Sequence, residues 1–172
     1  MDWIRLSDVM EPVEFDVEVV ALTLDLGYHY AVLVDPVRLH LGVSPTKHGH
    51  SLQGAFPYRA SLPCSRCLKP VVLSGEASFL LEYQPAAMAP AEEEVEAGPD
   101  APEIVYYQED RITFQSLVAQ QMYLEVPEKV LCGESCRGLC PRCGADLNQG
   151  DCPCPPDTDP RWDHLTRLTS PQ

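Results

Sequence analysis

The sequence lacks any apolar run that approaches the length of a membrane span, which argues against a helical membrane protein. Its first fifteen residues, MDWIRLSDVMEPVEF, carry four acids and no apolar core of signal-peptide length. We therefore expect the protein in the cytoplasm, where thiols stay reduced. At 172 residues, the chain has room for one domain, or for one domain with a small appendage.

Basic residues are also scarce. The chain has 12 Lys and Arg against 26 Asp and Glu, a formal net charge of −14. This balance is unusual for a protein whose whole surface binds nucleic acid. The sequence also shows no glycine motif for phosphate binding and no recognisable catalytic constellation. We therefore do not expect an enzyme.

Cysteine, by contrast, is abundant and clustered. Six of the eight cysteines fall in one run near the C-terminus: Cys132, Cys136, Cys140, Cys143, Cys152 and Cys154. Thiols at this density are metal ligands or a disulfide framework, and a reducing compartment favours zinc. The segment Cys140-Pro-Arg-Cys143-Gly144 has the form of a zinc knuckle, because two thiolates two residues apart reach one ion and the glycine permits the tight turn.

One knuckle supplies half of a tetrahedral site. The other half is open: Cys132 with Cys136, Cys152 with Cys154, or one of each. A further C-x-x-C pair, Cys64 and Cys67, offers a possible second half-site, so both one and two ions are compatible with the sequence. The same pair can instead be small buried residues at a strand end, or a redox dithiol.

Four bases stand beside these thiols in an otherwise acidic chain: Arg66, Lys69, Arg137 and Arg142. Two interpretations compete. The bases can offset the net charge of −2 that four thiolates leave on a Zn²⁺ ion, or they can form a small face that binds RNA phosphates.

The first part of the chain alternates between apolar and other residues with period two, which predicts half-buried antiparallel strands. Four such faces begin at Val13, Val37, Leu52 and Val71, and Cys64 and Cys67 lie between the last two. We predict an α+β protein whose residues 1–83 form an antiparallel β-barrel or curled sheet, with the C-x-x-C pair at the tip of a hairpin.

Residues 84–103 are rich in proline and glutamate, which predicts an acidic flexible linker or loop. Residues 104–172 are predicted to pack on the β domain as one central helix, a zinc-stabilised cysteine loop and a short closing helix. Thr113 is placed to cap the central helix, and Pro127 to stop it. Asp159 and Pro160 predict the start of the closing helix.

Two long stretches, LPCSRCLKPV and CRGLCPRCGADLNQGDCPC, together with LEVP and the terminal DPRWDHLTRL, resemble the YceD family over roughly residues 50–168. The resemblance implies a role in the accumulation of large-subunit ribosomal RNA, and hence in ribosome assembly, with no enzymatic activity. It aligns Cys64 and Cys67 with a widespread C-x-x-C of the family, and the six later cysteines with a cluster found in some members.

The sequence therefore predicts a non-catalytic, zinc-containing ribosome-assembly factor. Its expected partner is large-subunit ribosomal RNA or a large-subunit ribosomal protein, with neither a membrane nor a small-molecule substrate. A zinc-stabilised adaptor that binds only proteins is the first alternative, and a thiol redox enzyme is the second.

Overall fold

The computed structural model describes residues 2–27, 30–90 and 103–155. These residues form mostly β-structure with one α-helix. The strands are β1 (Trp3–Ile4), β2 (Val13–Val19), β3 (Thr23–Asp25), β4 (Tyr30–Leu33), β5 (Val37–Pro45), β6 (His50–Pro63), β7 (Pro70–Pro85), β8 (Glu103–Tyr107) and β9 (Ile112–Thr113), and the helix is α1 (Phe114–Glu125). No helix in these ranges has the length and apolarity needed to cross a membrane.

Strand β6 is the centre of a seven-stranded sheet. It pairs along its whole length with β7, from His50 opposite Tyr83 to Pro63 opposite Pro70. Its other edge is shared by two strands: β5 pairs with its first half and β4 with its second. Strand β2 extends the first arm and β3 the second, while β8 runs parallel to β7 on the far side.

The sheet is open, so the predicted barrel is wrong. Among the described residues, β2, β3 and β8 each pair with only one neighbour, whereas a barrel needs its end strands to pair with each other. The physical reason is that α1 covers the inner face. Phe114 of α1 packs on Phe15 of β2 with ring centroids 5.8 Å apart, and the helix also contacts β7. The helix supplies the apolar cover that closure would otherwise provide.

The period-two pattern places the core as predicted. The inward residues of the long strands are buried together with the apolar face of α1, and the largest of them are Phe56, Phe114, Leu39, Leu41, Leu52, Leu62, Leu81, Leu117 and Met122. Thr113 caps the helix, since its hydroxyl oxygen accepts the N–H of Ser116 at 3.3 Å. The helix ends at Glu125, two residues before Pro127, in agreement with the predicted stop.

Two predicted segments lie partly or wholly outside the described ranges. Of the acidic stretch 84–103, the described ends belong to β7, to a 3₁₀ turn at Ala86–Met88 and to the start of β8. Residues 91–102 fall outside, as does the predicted closing helix that begins at Asp159.

A close approach between the β5–β6 turn and β7 generates a first prediction. A Cβ atom on Gly49 would overlap the carbonyl oxygen of Tyr83 and lie 3.0 Å from its carbonyl carbon. We expect Gly49→Ala to lower the free energy of unfolding by about 1–3 kcal/mol, because two backbones must separate. Urea unfolding of the reduced, zinc-supplied protein, followed by circular dichroism, measures the change.

Gly42→Ala is the matched control for this substitution. A Cβ there meets only the carbonyl oxygen of Gln53 at 3.7 Å, an ordinary contact. The variant should match the wild type or gain up to about 1 kcal/mol, the usual advantage of alanine over glycine within a strand. Equal losses in both variants would contradict the role assigned to the turn.

Candidate metal centres

The β6–β7 turn brings Cys64 and Cys67 to the tip of the hairpin. Cys64 follows the inward face of β6 and is fully buried. The turn is closed by two backbone hydrogen bonds: Cys64 N–H donates to the Lys69 carbonyl at 2.7 Å, and Leu68 N–H donates to the Cys64 carbonyl at 2.9 Å. Leu68 adopts the left-handed conformation, with φ of 60°.

The C-terminal knuckle repeats this turn. Cys140 N–H donates to the Ala145 carbonyl at 2.8 Å, and Gly144 N–H donates to the Cys140 carbonyl at 2.9 Å. Gly144 has φ of 72°, so it holds the position that Leu68 holds in the hairpin. The two C-x-x-C turns therefore share this hydrogen-bond pattern. The similarity is hard to see in the sequence, because glycine is the residue expected at a position with positive φ and the hairpin has Leu68 instead.

Docking of the C-terminal segment assembles a first group of four thiols, which we call the interlocking tetrad: Cys64, Cys67, Cys132 and Cys136. The Sγ atoms of Cys64 and Cys136 are 3.8 Å apart, and those of Cys67 and Cys132 are 3.5 Å apart. A tetrahedral site with Zn–S bonds of about 2.3 Å puts its sulfurs about 3.8 Å from one another. The spacing fits a metal ion and is far too long for a disulfide.

The second group, which we call the terminal tetrad, is local in sequence and consists of Cys140, Cys143, Cys152 and Cys154. In each tetrad, all four sulfur atoms lie within 4.8 Å of one another. Each tetrad thus combines one C-x-x-C turn with a second pair, and each could hold one metal ion. Every cysteine that the sequence analysis singled out thus belongs to one of the two tetrads, four to each.

One thiol in each tetrad is easily deprotonated. Burial raises the pKa of Cys64, but backbone N–H groups, led by that of Arg66, outweigh burial and lower the pKa to about 6. The backbone N–H of Cys143 is the main cause that lowers the pKa of Cys140, also to about 6. In each turn, backbone N–H groups therefore point at the sulfur of the first cysteine and stabilise its thiolate form.

The neighbouring thiols resist the loss of a second proton. Hydrogen bonding with Cys136 is the main cause that raises the pKa of Cys132 to about 12, and hydrogen bonding with Cys143 raises the pKa of Cys154 to about 12. Four sulfurs this close repel one another as thiolates, and only a cation between them removes that cost. The donor set of each tetrad therefore fits a divalent metal ion.

Hydrogen bonds also hold the C-terminal segment on the hairpin turn. Ser65 N–H donates to the Val130 carbonyl at 2.7 Å, and Leu139 N–H donates to the Arg66 carbonyl at 3.1 Å. Gly138 lies against this turn with φ of 79°, and a Cβ there would be 3.0 Å from the Arg66 carbonyl oxygen. Contact with the turn thus begins before the first cysteine of the cluster and continues past Cys136.

Of the bases suggested for RNA binding, Arg66, Lys69 and Arg137 make the following side-chain contacts within the protein. The Arg66 guanidinium donates to the Cys136 carbonyl at 2.7 Å. Lys69 pairs with Asp146 at 2.7 Å, and Arg137 pairs with Asp151. Arg142 is exposed, and its backbone N–H helps to lower the pKa of Cys140. Arg66 and Lys69 thus link the hairpin turn to the cysteine segment.

Sequence reasoning missed two residues, Asp146 and Asn148, which follow the knuckle. Asn148 accepts the N–H of Arg137 at 2.8 Å through its side-chain oxygen, and its amide donates to the Cys136 sulfur at 3.7 Å. Asp146 accepts from Asn148 and Lys69, and the Lys69 contact is the main cause that holds the pKa of its carboxyl far below the usual range. The only sequence signal was their closeness to the knuckle in GADLN.

Together, fold and site define an α+β protein with an open sheet and two four-cysteine centres able to bind metal. The chain belongs to the family described as large ribosomal RNA subunit accumulation protein YceD, whose model matches residues 52–169. The match covers more than half of the chain and contains all eight cysteines. The predicted family is therefore confirmed.

Similar curated proteins come from mycobacteria. An uncharacterized protein of Mycobacterium bovis (strain ATCC BAA-935 / AF2122/97) and one of Mycobacterium tuberculosis (strain ATCC 25618 / H37Rv) are each 28% identical to this chain over 136 residues. The aligned region is 78% of this chain and 62% of each relative, so the chain spans about three-fifths of the length of these relatives. No solved structure matches the chain.

The Lys69–Asp146 ion pair generates a second prediction. We expect Asp146→Asn to lower hydrogen-exchange protection in residues 138–147 while the sheet keeps its protection. The reason is that the pair joins the hairpin to the loop after the knuckle, and the Asp146 side chain is largely shielded from solvent. Because the pKa of Asp146 is depressed, the pair's contribution is complete at neutral pH and is lost only as the pH falls through that pKa.

Asp151→Asn serves as the control, because its pair with Arg137 is exposed on both sides. Exposed ion pairs contribute roughly 0–1 kcal/mol, so this variant should exchange like the wild type. Equal loss of protection in the two variants would contradict a special role for Asp146.

Proposed function

We propose that this protein is a non-catalytic ribosome-assembly factor that supports the accumulation of large-subunit ribosomal RNA. It acts in the cytoplasm, on that RNA or on a large-subunit ribosomal protein. The observation that carries the proposal is the family match over residues 52–169, which spans the β6–β7 hairpin, α1 and both tetrads. Family membership suggests the process, and the molecular partner is our inference.

The metal we propose for the tetrads is zinc. Four thiolates at tetrahedral spacing are the donor set of structural zinc sites, which have no open position for substrate or water. When bound, zinc supplies charge neutralisation and a fixed tetrahedral cross-link. The protein residues position the ligands. The two C-x-x-C turns orient their sulfurs with backbone N–H groups, and the Asn148 amide donates a hydrogen bond to the Cys136 sulfur.

The thiol redox alternative receives less support. A reactive dithiol usually opens a helix, whose dipole lowers the thiol pKa, whereas Cys64 and Cys67 lie in a turn between strands. Two further thiols, Cys132 and Cys136, stand within reach of the same point. This arrangement favours ligation of an ion over exchange of a disulfide.

The function is tested in the cell that encodes the protein. We expect depletion of the protein to lower the ratio of large-subunit to small-subunit ribosomal RNA, because the large-subunit RNA loses support during assembly. Quantitative sequencing or gel analysis of total RNA measures the ratio, and re-expression of the full chain should restore it. An unchanged ratio after complete depletion would contradict the assembly role.

A specific observation favours a protein as the direct partner. The net charge is −14, and the bases beside the tetrads already contact carboxylates or carbonyl oxygens of the chain. Phosphate binding would have to break these contacts or share them. A basic ribosomal protein meets no such obstacle, since the acidic surface attracts it.

Reversing the charge of the bases beside the tetrads tests whether they bind RNA phosphates or hold the cysteine segment in place. We expect the combined change of Arg66, Lys69, Arg137 and Arg142 to Glu to lower zinc content and protection of the cysteine segment, because Arg66 and Lys69 link that segment to the hairpin turn. Metal analysis and hydrogen exchange report this. The control reverses two bases of the sheet region, Arg38 and Lys47, and should keep its zinc.

Filter binding of a large-subunit RNA fragment across a salt series completes this test. If the variant instead keeps its zinc and loses RNA affinity, the bases serve phosphates. Each phosphate contact should then contribute about 0.7–0.9 to the slope of log K against log salt. That result would contradict the fastening role and favour direct RNA binding.

A further inference from the structure

The two tetrads share one turn geometry but differ in what encloses them. Each begins with a C-x-x-C turn whose fifth residue, Leu68 or Gly144, has positive φ, and each turn has the same pair of backbone hydrogen bonds. Ligand type and first-turn geometry are thus held constant between the two sites. Any difference in how the sites keep an ion must come from their surroundings.

The interlocking tetrad is enclosed. Three of its four members, Cys64, Cys67 and Cys136, are 0%, 5% and 6% exposed and form their own buried cluster, whereas Cys132 is exposed. Leu131 and Leu139 pack on this cluster. Its ligands come from two chain segments, and Cys132 follows Cys67 by 65 positions. An incoming ligand must therefore separate the C-terminal segment from the hairpin before it reaches more than one sulfur.

The terminal tetrad is open to solvent. Cys140 is buried, Cys143 is exposed, and Cys152 and Cys154 are half-buried. All four ligands come from residues 140–154, which contain no strand or helix within the described chain. Cys143 is therefore accessible to a ligand from solution, and all four cysteines of this tetrad lie outside the sheet and the hairpin.

We propose that the two tetrads hold zinc ions of different permanence: a fixed ion in the interlocking tetrad and an exchangeable ion in the terminal tetrad. Exchange at a zinc–thiolate site needs an incoming ligand near the metal or a departing thiolate that is captured, and solvent access permits both. Loss of the terminal ion leaves the hydrogen bonds of Ser65 and Leu139 and the first ion in place.

The consequence is that one segment responds to zinc while the part of the protein that carries it does not. Residues 140–154 order or loosen with the supply of free zinc, while the hairpin, the sheet and residues 130–139 stay assembled. The inference rests on the proposed zinc chemistry of the tetrads and does not depend on whether the partner is RNA or protein.

The experiment uses the full chain purified with zinc under reducing conditions. Native mass spectrometry should find two zinc ions per chain. Addition of a chromogenic zinc chelator should then release the ions in two equal phases, with rate constants at least about tenfold apart, the ratio that a barrier difference of about 1.4 kcal/mol gives. During the fast phase, alkylation with iodoacetamide and peptide mapping should label the terminal cysteines and spare Cys64 and Cys67.

The exposed cysteine of each tetrad supplies a matched pair of variants. Cys143→Ser should lose the fast phase, keep one slowly released ion, and retain wild-type hydrogen-exchange protection in the hairpin and α1. Cys132→Ser should lose protection at residues 64–69 and 130–139. If Cys132→Ser fails to fold, the alkylation map of the wild type still decides the question, because it needs no variant.

The outcomes separate this inference from the broader proposal. Two zinc ions released in one phase, or labelling of Cys64 and Cys67 in the fast phase, would overturn the difference in permanence and leave the zinc proposal standing. A folded, reduced chain that binds no zinc would overturn both. Neither result bears on the ribosomal RNA ratio after depletion, which tests the assembly role independently.

Discussion

The pairing of β6 with β7 is the constraint on which both the sheet and the interlocking tetrad depend. It runs unbroken from His50 to Pro63, and β6 also anchors the β5 and β4 arms. Because side chains alternate across a strand, this register puts Leu62 and Cys64 on the core side of the hairpin tip. A slip of one residue would turn Cys64 toward solvent and separate it from Cys136.

The period-two alternation of apolar residues and the capping residue Thr113 made part of this structure predictable from the sequence. The alternating faces that begin at Val13, Val37, Leu52 and Val71 became strands, and Thr113 became a helix cap, because these features depend on neighbours within a few residues. The open sheet was not predictable in this way. Whether end strands meet depends on contacts far apart in sequence, and here α1 occupies the inner face instead.

The division of the thiols illustrates the same limit. Spacing identified Cys140 and Cys143 as a pair but left their partners undecided, since four candidate ligands lay nearby in sequence. Docking of residues 130–139 on the hairpin turn brings Cys132 and Cys136 to Cys64 and Cys67, and the remaining four thiols then stand together. The same docking gives Arg66 and Lys69 partners within the protein, the Cys136 carbonyl and the Asp146 carboxylate, and the sequence pattern alone did not reveal these contacts.

The long separation between the two halves of the interlocking tetrad has a consequence for the order of synthesis. Cys67 leaves the ribosome 65 positions ahead of Cys132. At a translation rate of roughly 5–20 residues per second, this is a delay of roughly 3–13 seconds. During that interval the growing chain carries an uncovered dithiol at the hairpin tip, open to oxidants and stray metals. The arrival of Cys132 and Cys136 ends the exposure, because it completes the set of four thiols at the hairpin tip.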